Sequence, residues 1–501
     1  MTNKTILFIY PPVNRETAQG LEPNLLKTES NNIEISFLYL EAFLKKKIPG
    51  IECEYLDFRI EDENDAEKIF LQLFSNVNIT HVAMTCYSCH YLSVLNLANI
   101  IKQLNRNIIV IIGGFHPTIH PEDFTFEGSP IDYIIRGEGE YPLVEIVMKN
   151  VKVPLKPRII KNQEIPDLDE LSPINLDLMD KYKKSLNFSD LSMYCSRGCL
   201  YDCSFCICRE NTCGLKKYRY MSLDVIQDQL ELFEKYEPAR IIIQDPLFGA
   251  NNKWFDNVTR LLGKKDRSYK VKVEMHVDLI NQHRLETLIH NALDLTVGFE
   301  SASLQMLYLM NKTRNPIKYI KNARTIIKNY GKSGQELILN VLIGHPGENK
   351  QTIDETFNFL EDVSDYFNRL IPKFSLFRLY PGTPVYHYMG FFEVFFKTVF
   401  YMKDWWYHDV DYSLVPSIID PSRNLDIISE ISYSNEKISI LLRNISKSEN
   451  LALIYQLAYM KYLSRINRTF KALEGTISQL KTDLSNEKIV VENKSVGEKE
   501  I

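Results

Sequence analysis

Two series of short β-rich runs that alternate with helical segments are the strongest constraint on the fold of this chain. In the first series, from about residue 4 to residue 150, the runs include TILFIY, CEYLDF, HVAMTC, NIIVIIGG and DYIIRGEGE, and apolar residues recur at helical spacing between them. Strands that alternate with helices form βαβ units on a parallel sheet. The sequence therefore predicts an α/β protein whose N-terminal domain is a doubly wound, Rossmann-like sheet.

The second series begins near Leu191 and gives six further strand–helix repeats, fewer than the eight of a full (β/α)8 barrel. It predicts a partial (β/α)6 barrel. The expected strands are LSMYC, ARIIIQD, VKVEMHV, LDLTVGFE, LILNVLIG and FSLFRLY.

A polar, proline-bearing stretch separates the two series, and the pattern changes again after Met389 to aromatic-rich and then Leu/Ile-rich helical sequence. A chain of 501 residues is expected to form two or three domains. We predict a Rossmann-like domain over 1–150, a linker over 151–185, the partial barrel over 186–388, and a mainly helical C-terminal region over 389–501, with a disordered tail from about 484.

Composition narrows the class of protein. With 45% hydrophobic and 25% charged residues the chain is an ordinary globular protein, and its net charge of -5 argues against nucleic acid as a main partner. The N-terminus lacks a signal-peptide pattern, and no window offers about twenty uninterrupted apolar residues. The expected location is the cytoplasm.

One aromatic stripe leaves two interpretations open. In the segment 391–407, Phe391, Phe395 and Val399 share one helical face. We expect this face to pack against the barrel, although it also suits a lipid surface or a hydrophobic substrate.

Six of the nine cysteines lie between Cys195 and Cys213. Cytosolic thiols stay reduced, so the cluster indicates metal binding or catalysis rather than disulfides. Cys199, Cys203 and Cys206 form C-x3-C-x2-C, and no second cysteine pair follows downstream as a zinc site would need. Three thiolates suit three irons of a four-iron cluster, which leaves the fourth iron open to a small molecule.

The remaining cysteines of the cluster match no ligand spacing, and we expect them to be free or lining thiols. They are Cys195, Cys208 and Cys213.

The stretch GCLYDCSFC, with Phe205 before its last cysteine, resembles the signature of the radical S-adenosylmethionine (SAM) superfamily. This resemblance implies a 4Fe-4S cluster whose open iron binds SAM and whose reduced form cleaves SAM to a 5′-deoxyadenosyl radical. It also implies anaerobic chemistry and an electron donor such as flavodoxin or ferredoxin.

The same resemblance implies SAM contacts at the carboxyl ends of the barrel strands. In QDPLF, Pro246 stands where many relatives carry a second acid beside Asp245. The residues expected to contact SAM are Phe205, Asp245, Glu300, Gly344, Pro346 and Gly347.

The N-terminal series resembles the cobalamin-binding domain that precedes the radical SAM core in one large subfamily. The matching segments end successive strands, so their loops face one crevice. The resemblance implies that Pro11, Pro12, Thr85, Gly113 and Gly114 contact cobalamin, with the glycines allowing a close approach of the backbone.

The sequence departs from other cobalamin domains at one motif. The D-x-H-x-x-G motif, which supplies a histidine to cobalt, is absent after strand one, where PPVNRE stands. We therefore expect no protein imidazole on cobalt. His90 and His116 are expected near the crevice as packing or hydrogen-bonding residues.

The resemblance implies methylation of an unactivated carbon in a small-molecule or peptide substrate. Oxidative cyclisation or rearrangement without methyl transfer is the first alternative, and an electron-transfer or iron-sensing protein is another. A methylthiotransferase would carry a second cysteine trio in the first domain. The first domain has three cysteines, but their placement differs from that of the methylthiotransferase trio. They are Cys53, Cys86 and Cys89.

Overall fold

The computed structural model describes residues 4–12, 32–87, 90–149, 153–161, 167–171, 174, 176–184, 187–208, 218–263, 267–343, 345, 350–366, 370–376 and 383–384. They belong to one compact unit and form two six-stranded sheets and a two-stranded ribbon. All neighbouring strands within each six-stranded sheet are parallel, which confirms the α/β class. The C-terminal region 389–501, including the aromatic segment, lies outside the described residues.

The first sheet has the order β2-β1-β3-β4-β5-β6, a doubly wound arrangement. Its strands are β1 (Thr5–Tyr10), β2 (Glu52–Asp57), β3 (His81–Thr85), β4 (Ile109–Gly113), β5 (Tyr133–Ile135) and β6 (Arg158–Ile160). Its helices are α1 (Ile35–Lys47), α2 (Ala66–Asn76), α3 (Tyr91–Leu104), α4 (Phe115–Ile119) and α5 (Glu140–Met148), and α6 (Asp177–Tyr182) follows it.

The central strands of this sheet form because their residues are apolar on both faces. Leu7, Val82 and Val110 are fully buried in neighbouring strands. Continuous burial of this kind is typical of parallel sheets that carry helices on both sides.

The edge strand β6 is a correction to the sequence analysis, which placed residues 151–185 in a linker. Arg158–Ile160 pairs in parallel with β5 and completes the sheet. The strand has only three residues and is largely exposed, so it carries neither the length nor the apolar alternation by which strands are recognised.

The second sheet has the order β14-β13-β12-β11-β10-β7, so consecutive strands are neighbours as a partial barrel requires. Its strands are β7 (Asp190–Met193), β10 (Arg240–Ile243), β11 (Lys270–His276), β12 (Asp294–Glu300), β13 (Leu337–Ile343) and β14 (Leu370–Leu376). Its helices are α7 (Leu223–Glu234), α8 (Asn252–Leu262), α9 (Gln282–His290), α10 (Leu304–Leu309), α11 (Pro316–Ser333) and α12 (Lys350–Asp362). The last strand begins four residues before the expected FSLFRLY, because its pairing with β13 sets its start.

Side-chain caps fix the starts of several barrel helices. Ser222 accepts a hydrogen bond from the Val225 amide, and Asn251 accepts one from the Trp254 amide. Such caps satisfy amides that have no partner within the helix. Within the described ranges, every helix is too short or too polar to cross a lipid bilayer.

The antiparallel ribbon joins β8 (Ser196–Arg197) to β9 (Arg219–Tyr220), directly after the first barrel strand. Residues 198–218 lie between its two strands. Residues 198–218, the cluster segment, carry the C-x3-C-x2-C motif, and we call the ribbon that begins and ends this segment its neck.

Candidate active site

The cysteine loop is tied to the end of helix α10. The Ser204 amide donates to the Met310 carbonyl at 2.8 Å, and the Asn311 side-chain amide donates to the Asp202 carbonyl at 2.8 Å. Asn311 holds a left-handed conformation, with φ of 47°. These bonds fix the backbone on either side of Cys203, the middle cysteine of the motif.

The three thiols share one loop and influence one another's protonation. Burial raises the pKa of Cys199, and it raises the pKa of Cys203 to about 12. A hydrogen bond with Cys208, together with burial, raises the pKa of Cys206. Burial disfavours these thiolates, so a cationic iron cluster is the kind of group that would stabilise them.

A backbone amide donates a hydrogen bond to one sulfur of this loop. The Cys208 amide donates to the Cys206 sulfur at 3.3 Å. In a cubane each cysteine ligates a different iron, and hydrogen bonds to the sulfurs tune its potential. The loop therefore fits a 4Fe-4S cluster.

A buried ion pair lies beside this loop. Glu300 ends β12 with φ of 68°, and its Oε1 is 3.0 Å from Lys312 Nζ. Lys312 also lies 5.7 Å from the ring centre of Phe205. Burial alone would lower the pKa of Lys312, but the negative charges of Glu300 and Cys203 raise it well above its usual value. Lys312 therefore stays cationic beside the thiols.

A stacked ring pair closes the other side of the loop. Tyr201 lies on His276 with ring centres 3.7 Å apart and planes 12° apart. His276 Nε2 is 3.0 Å from the Lys312 carbonyl, which makes it the donating nitrogen. Burial and the nearby Lys312 charge lower the pKa of His276 to about 2, so the imidazole is neutral.

The glycine-rich turn expected to contact SAM is described only at His345. Its Nε2 is 3.0 Å from the Ser204 hydroxyl, and its ring faces Phe205 edge-on. Gly344, Pro346 and Gly347 lie outside the described residues. Their proposed contacts stay predictions.

Asp245, which is expected to contact SAM, has hydrogen-bond partners within the chain, and its contact to SAM stays a prediction. Its Oδ1 accepts bonds from the amides of Cys195 and Ser196 at 2.8 and 2.9 Å, and its Oδ2 accepts the Ser196 hydroxyl at 2.6 Å. Burial raises the pKa of Asp245 to about 7. This carboxyl group fixes the chain as it leaves β7 for the ribbon.

A cavity of about 260 Å³ lies at the carboxyl edge of the first sheet. Its lining residues come from β3, β4 and β5 with the starts of α1 and α5, and from segments of the barrel domain. Those of the first domain include Thr85, Gly113 and Gly114, but Pro11 and Pro12 do not line this cavity. On the barrel side the lining residues are Tyr194, Arg197, Cys208 and Pro246.

The floor of the cavity depends on one glycine. Gly114 has φ of 105°, and a Cβ there would lie 3.0 Å from the Cys86 carbonyl oxygen and 3.2 Å from Thr85 Oγ1. Thr118 donates to the Gly114 carbonyl and accepts from the Gly137 amide, which joins the loops after β4 and β5. The floor of the cavity is therefore closely packed backbone, a surface that an organic cofactor can approach closely.

Neither candidate histidine lines the cavity. His90 packs edge-on against Tyr10 and Tyr87, and burial lowers its pKa to about 3. His116 is 3.1 Å from Asp123 through Nε2. Both side chains have packing and hydrogen-bonding roles in the described structure.

Several residues of the site carry no sequence signal. Lys312 follows a short helix in MNKTR, a sequence that marks no motif, and His276 ends an ordinary strand. Glu138 and Glu140 fall in the GEGE turn after β5, whose strand-end position is the only cue.

Two family descriptions match the chain in separate regions. Residues 23–147 match the B12 binding domain, and residues 193–360 match the radical SAM superfamily. The first match covers β2 to β5 of the first sheet, and the second contains the cysteine loop.

Curated relatives are similar over more than half of the chain. The chain is 25% identical to an uncharacterized methyltransferase of Pyrococcus horikoshii over 68% of this chain and 78% of that protein. It is 24% identical to bacteriochlorophyllide d C-8(2)-methyltransferase of Chlorobaculum tepidum, covering 56% and 62%. It is 23% identical to the anaerobic magnesium-protoporphyrin IX monomethyl ester cyclase of Rubrivivax gelatinosus, covering 58% and 55%.

Two solved structures share the fold. The radical SAM methyltransferase TsrM of Kitasatospora setae superposes with a TM-score of 0.56 at 17% identity, covering 76% of this chain and 75% of that one. The cobalamin-dependent SAM radical enzyme OxsB superposes with a TM-score of 0.60 at 15% identity, covering 99% and 81%.

Proposed function

We propose that this chain, which belongs to the radical SAM superfamily and carries a B12-binding domain, methylates an unactivated carbon of a small-molecule or peptide substrate. The observation that carries the proposal is the shared cavity. Thr85 and Gly114 of the first domain line the same cavity as Arg197 and Cys208, which flank the cluster ligands in the sequence. Groups bound by the two domains would thus be neighbours.

The cofactors supply the bond-breaking chemistry: SAM at the reduced cluster gives a 5′-deoxyadenosyl radical, and cobalamin carries a methyl group. The protein holds and orients them. Cys199, Cys203 and Cys206 would hold three irons, and the cobalamin would lie on the floor formed by Gly113 and Gly114. Contacts from Phe205 and Glu300 to SAM are part of the proposal.

Charge beside the cluster loop has a defined role in this proposal. Lys312 is a buried cation within electrostatic reach of Cys203 and paired to Glu300. A fixed cation offsets the negative charge of thiolates without any rearrangement during the reaction. Lys312 would therefore stabilise the ligated form of the loop.

Apolar walls would keep water from reactive groups. Phe37, Leu40, Met84 and Ile135 line the cavity together with the glycines. Exclusion of water protects a radical from side reactions. An external electron donor, such as a flavodoxin or ferredoxin, would reduce the cluster.

Methyl-labelled SAM tests the reaction. The protein is purified without oxygen, loaded with cluster and cobalamin, and incubated with methyl-deuterated SAM and a panel of candidate substrates. Label in the product, with 5′-deoxyadenosine and S-adenosylhomocysteine formed together, supports methylation. The Cys203→Ala protein is the matched control and should form neither labelled product nor 5′-deoxyadenosine.

A second candidate is oxidative cyclisation or rearrangement without methyl transfer, and the similarity to a magnesium-protoporphyrin monomethyl ester cyclase favours it. The same experiment separates the two reactions. Turnover that forms 5′-deoxyadenosine but leaves the product unlabelled would contradict methylation and support the second candidate.

A further inference from the structure

The neck of the cluster segment carries two arginines that face each other. In the ribbon register Arg197 of β8 lies opposite Arg219 of β9, and both side chains are largely buried. Like charges directly opposite on paired strands repel. A partner from elsewhere is needed to hold this neck together.

Two glutamates of the first sheet supply that partner. Glu138 Oε1 accepts bonds from Arg197 at 3.2 Å and from Arg219 at 2.7 Å, and its Oε2 accepts a second bond from Arg219 at 3.1 Å. Glu140 Oε1 accepts from Arg197 at 2.7 Å. The four side chains form one neutral, largely buried network that joins the turn after β5 to the ribbon.

The network lies between the cavity and the cluster segment. Glu138, Glu140 and Arg197 line the cavity, and the two arginines lie on the strands before and after the cluster segment. Along the chain, Cys199, Cys203 and Cys206 all lie between the two ribbon strands. A molecule bound in the cavity that holds the Gly137–Glu140 turn in place would also hold the two arginines in place. The arginines would in turn hold the two ends of the cluster segment.

We propose that the Glu140–Arg197–Glu138–Arg219 network couples the cavity to the cluster loop, so that each cofactor tightens the binding of the other. The proposal deepens the proposed function and rests on it for the identity of the two cofactors. Coupling between binding sites is reciprocal, and values of about 5- to 150-fold are common. These four residues act as positioning residues and need not contact the reacting atoms.

Hydroxocobalamin binding measures the coupling. Equilibrium dialysis without oxygen gives the dissociation constant for the cluster-loaded and the cluster-free protein. In the wild type we expect the cluster to tighten hydroxocobalamin binding by at least about fivefold. In Glu138→Gln the two arginines lose their shared charge, so the ratio should fall to near one.

A matched control lies on the same sheet. Glu54 is a buried carboxylate that accepts bonds from Lys181 and Tyr182, away from the ribbon. Glu54→Gln should keep the wild-type ratio. Arg219→Gln, which removes one of the facing charges, serves as a second variant if Glu138→Gln fails to fold, and we expect its ratio also to fall.

A second readout needs no cluster. The Met221 amide donates to the Cys195 carbonyl at 2.9 Å at the base of the ribbon. Hydroxocobalamin should slow hydrogen exchange of this amide in the wild type but not in Glu138→Gln.

The outcomes separate this proposal from the proposed function. Equal affinities with and without cluster in the wild type, or an unchanged ratio in Glu138→Gln, would overturn the network even if labelled methyl still reaches a product. A wild-type protein that binds no hydroxocobalamin would overturn both.

Discussion

The carboxyl edges of the two sheets differ in the kinds of groups that form them. At the first sheet, the floor of the cavity is backbone and apolar side chains, and Gly114 lets its loop lie close to the Cys86 backbone. At the second sheet, the described groups are a stacked ring pair, the Lys312–Glu300 ion pair and the hydrogen-bonded Asp245 carboxyl. Both edges belong to parallel sheets of six strands.

This difference indicates what each edge has to bind. A large organic cofactor brings its own shape and polar groups, so the protein mainly needs space and close backbone. A cluster ligated by thiolates needs fixed charges, and buried charges need partners. Substitutions at the second edge should therefore change cluster binding and the free energy of unfolding. Substitutions at the first edge should change cofactor affinity through the shape of the cavity.

The largest effect is expected at the cluster ligands. Cys203→Ala leaves two thiols for a cubane, so we expect complete loss of the iron–sulfur absorption and of SAM cleavage. Iron and sulfide content and 5′-deoxyadenosine formation are the measurements. Cys208→Ala is the control and should keep its cluster. Loss of the cluster in both variants would show that the ligand assignment is wrong.

The buried ion pair should give the next largest effect. Lys312→Met leaves Glu300 buried without its cation, and such a change costs about 3–5 kcal/mol of unfolding free energy. Urea denaturation measures it. The exposed pair Arg324–Asp362 is the control, because Arg324→Met should cost less than about 1 kcal/mol. If both substitutions cost the same unfolding free energy, the buried pair would be no more important to stability than the exposed pair.

Asp245 should make stability depend on pH. Burial raises its pKa from the ordinary value of 3.8 to about 7, so the folded state keeps the proton to higher pH than the unfolded chain does. The wild type should therefore lose up to about 4 kcal/mol relative to Asp245→Asn as pH rises from 4 to 7, with no further loss above. Denaturation midpoints across this range test it. A constant difference would mean that the carboxyl is ionised throughout.

The smallest effect should distinguish two adjacent glycines. Gly114→Ala forces a side chain into a φ of 105° and toward the Cys86 backbone, so hydroxocobalamin affinity should fall by about tenfold or more. Gly113→Ala should change it by less than about twofold, because its Cβ would meet nothing nearer than 3.9 Å. Similar losses in both variants would show that the shape of the floor does not control binding.

Sequence periodicity predicted most of the strands and their order along the chain, because each central strand is a continuous run of apolar residues. It missed β6, which is short and exposed, and it placed the start of β14 four residues late. Pairing with a neighbouring strand decides such edges, and that neighbour is distant in the chain.

The sequence by itself determined the features that depend on nearby residues. The three thiols follow one another at fixed short spacing, and Thr85 and Gly114 lie at the ends of their own strands. Only the tertiary structure decided which charges meet. Glu138 reaches Arg219 across 81 positions, and Asp245 reaches Ser196 across 49. Sheet order brings such residues together, and buried charges are stable only where that order supplies a partner.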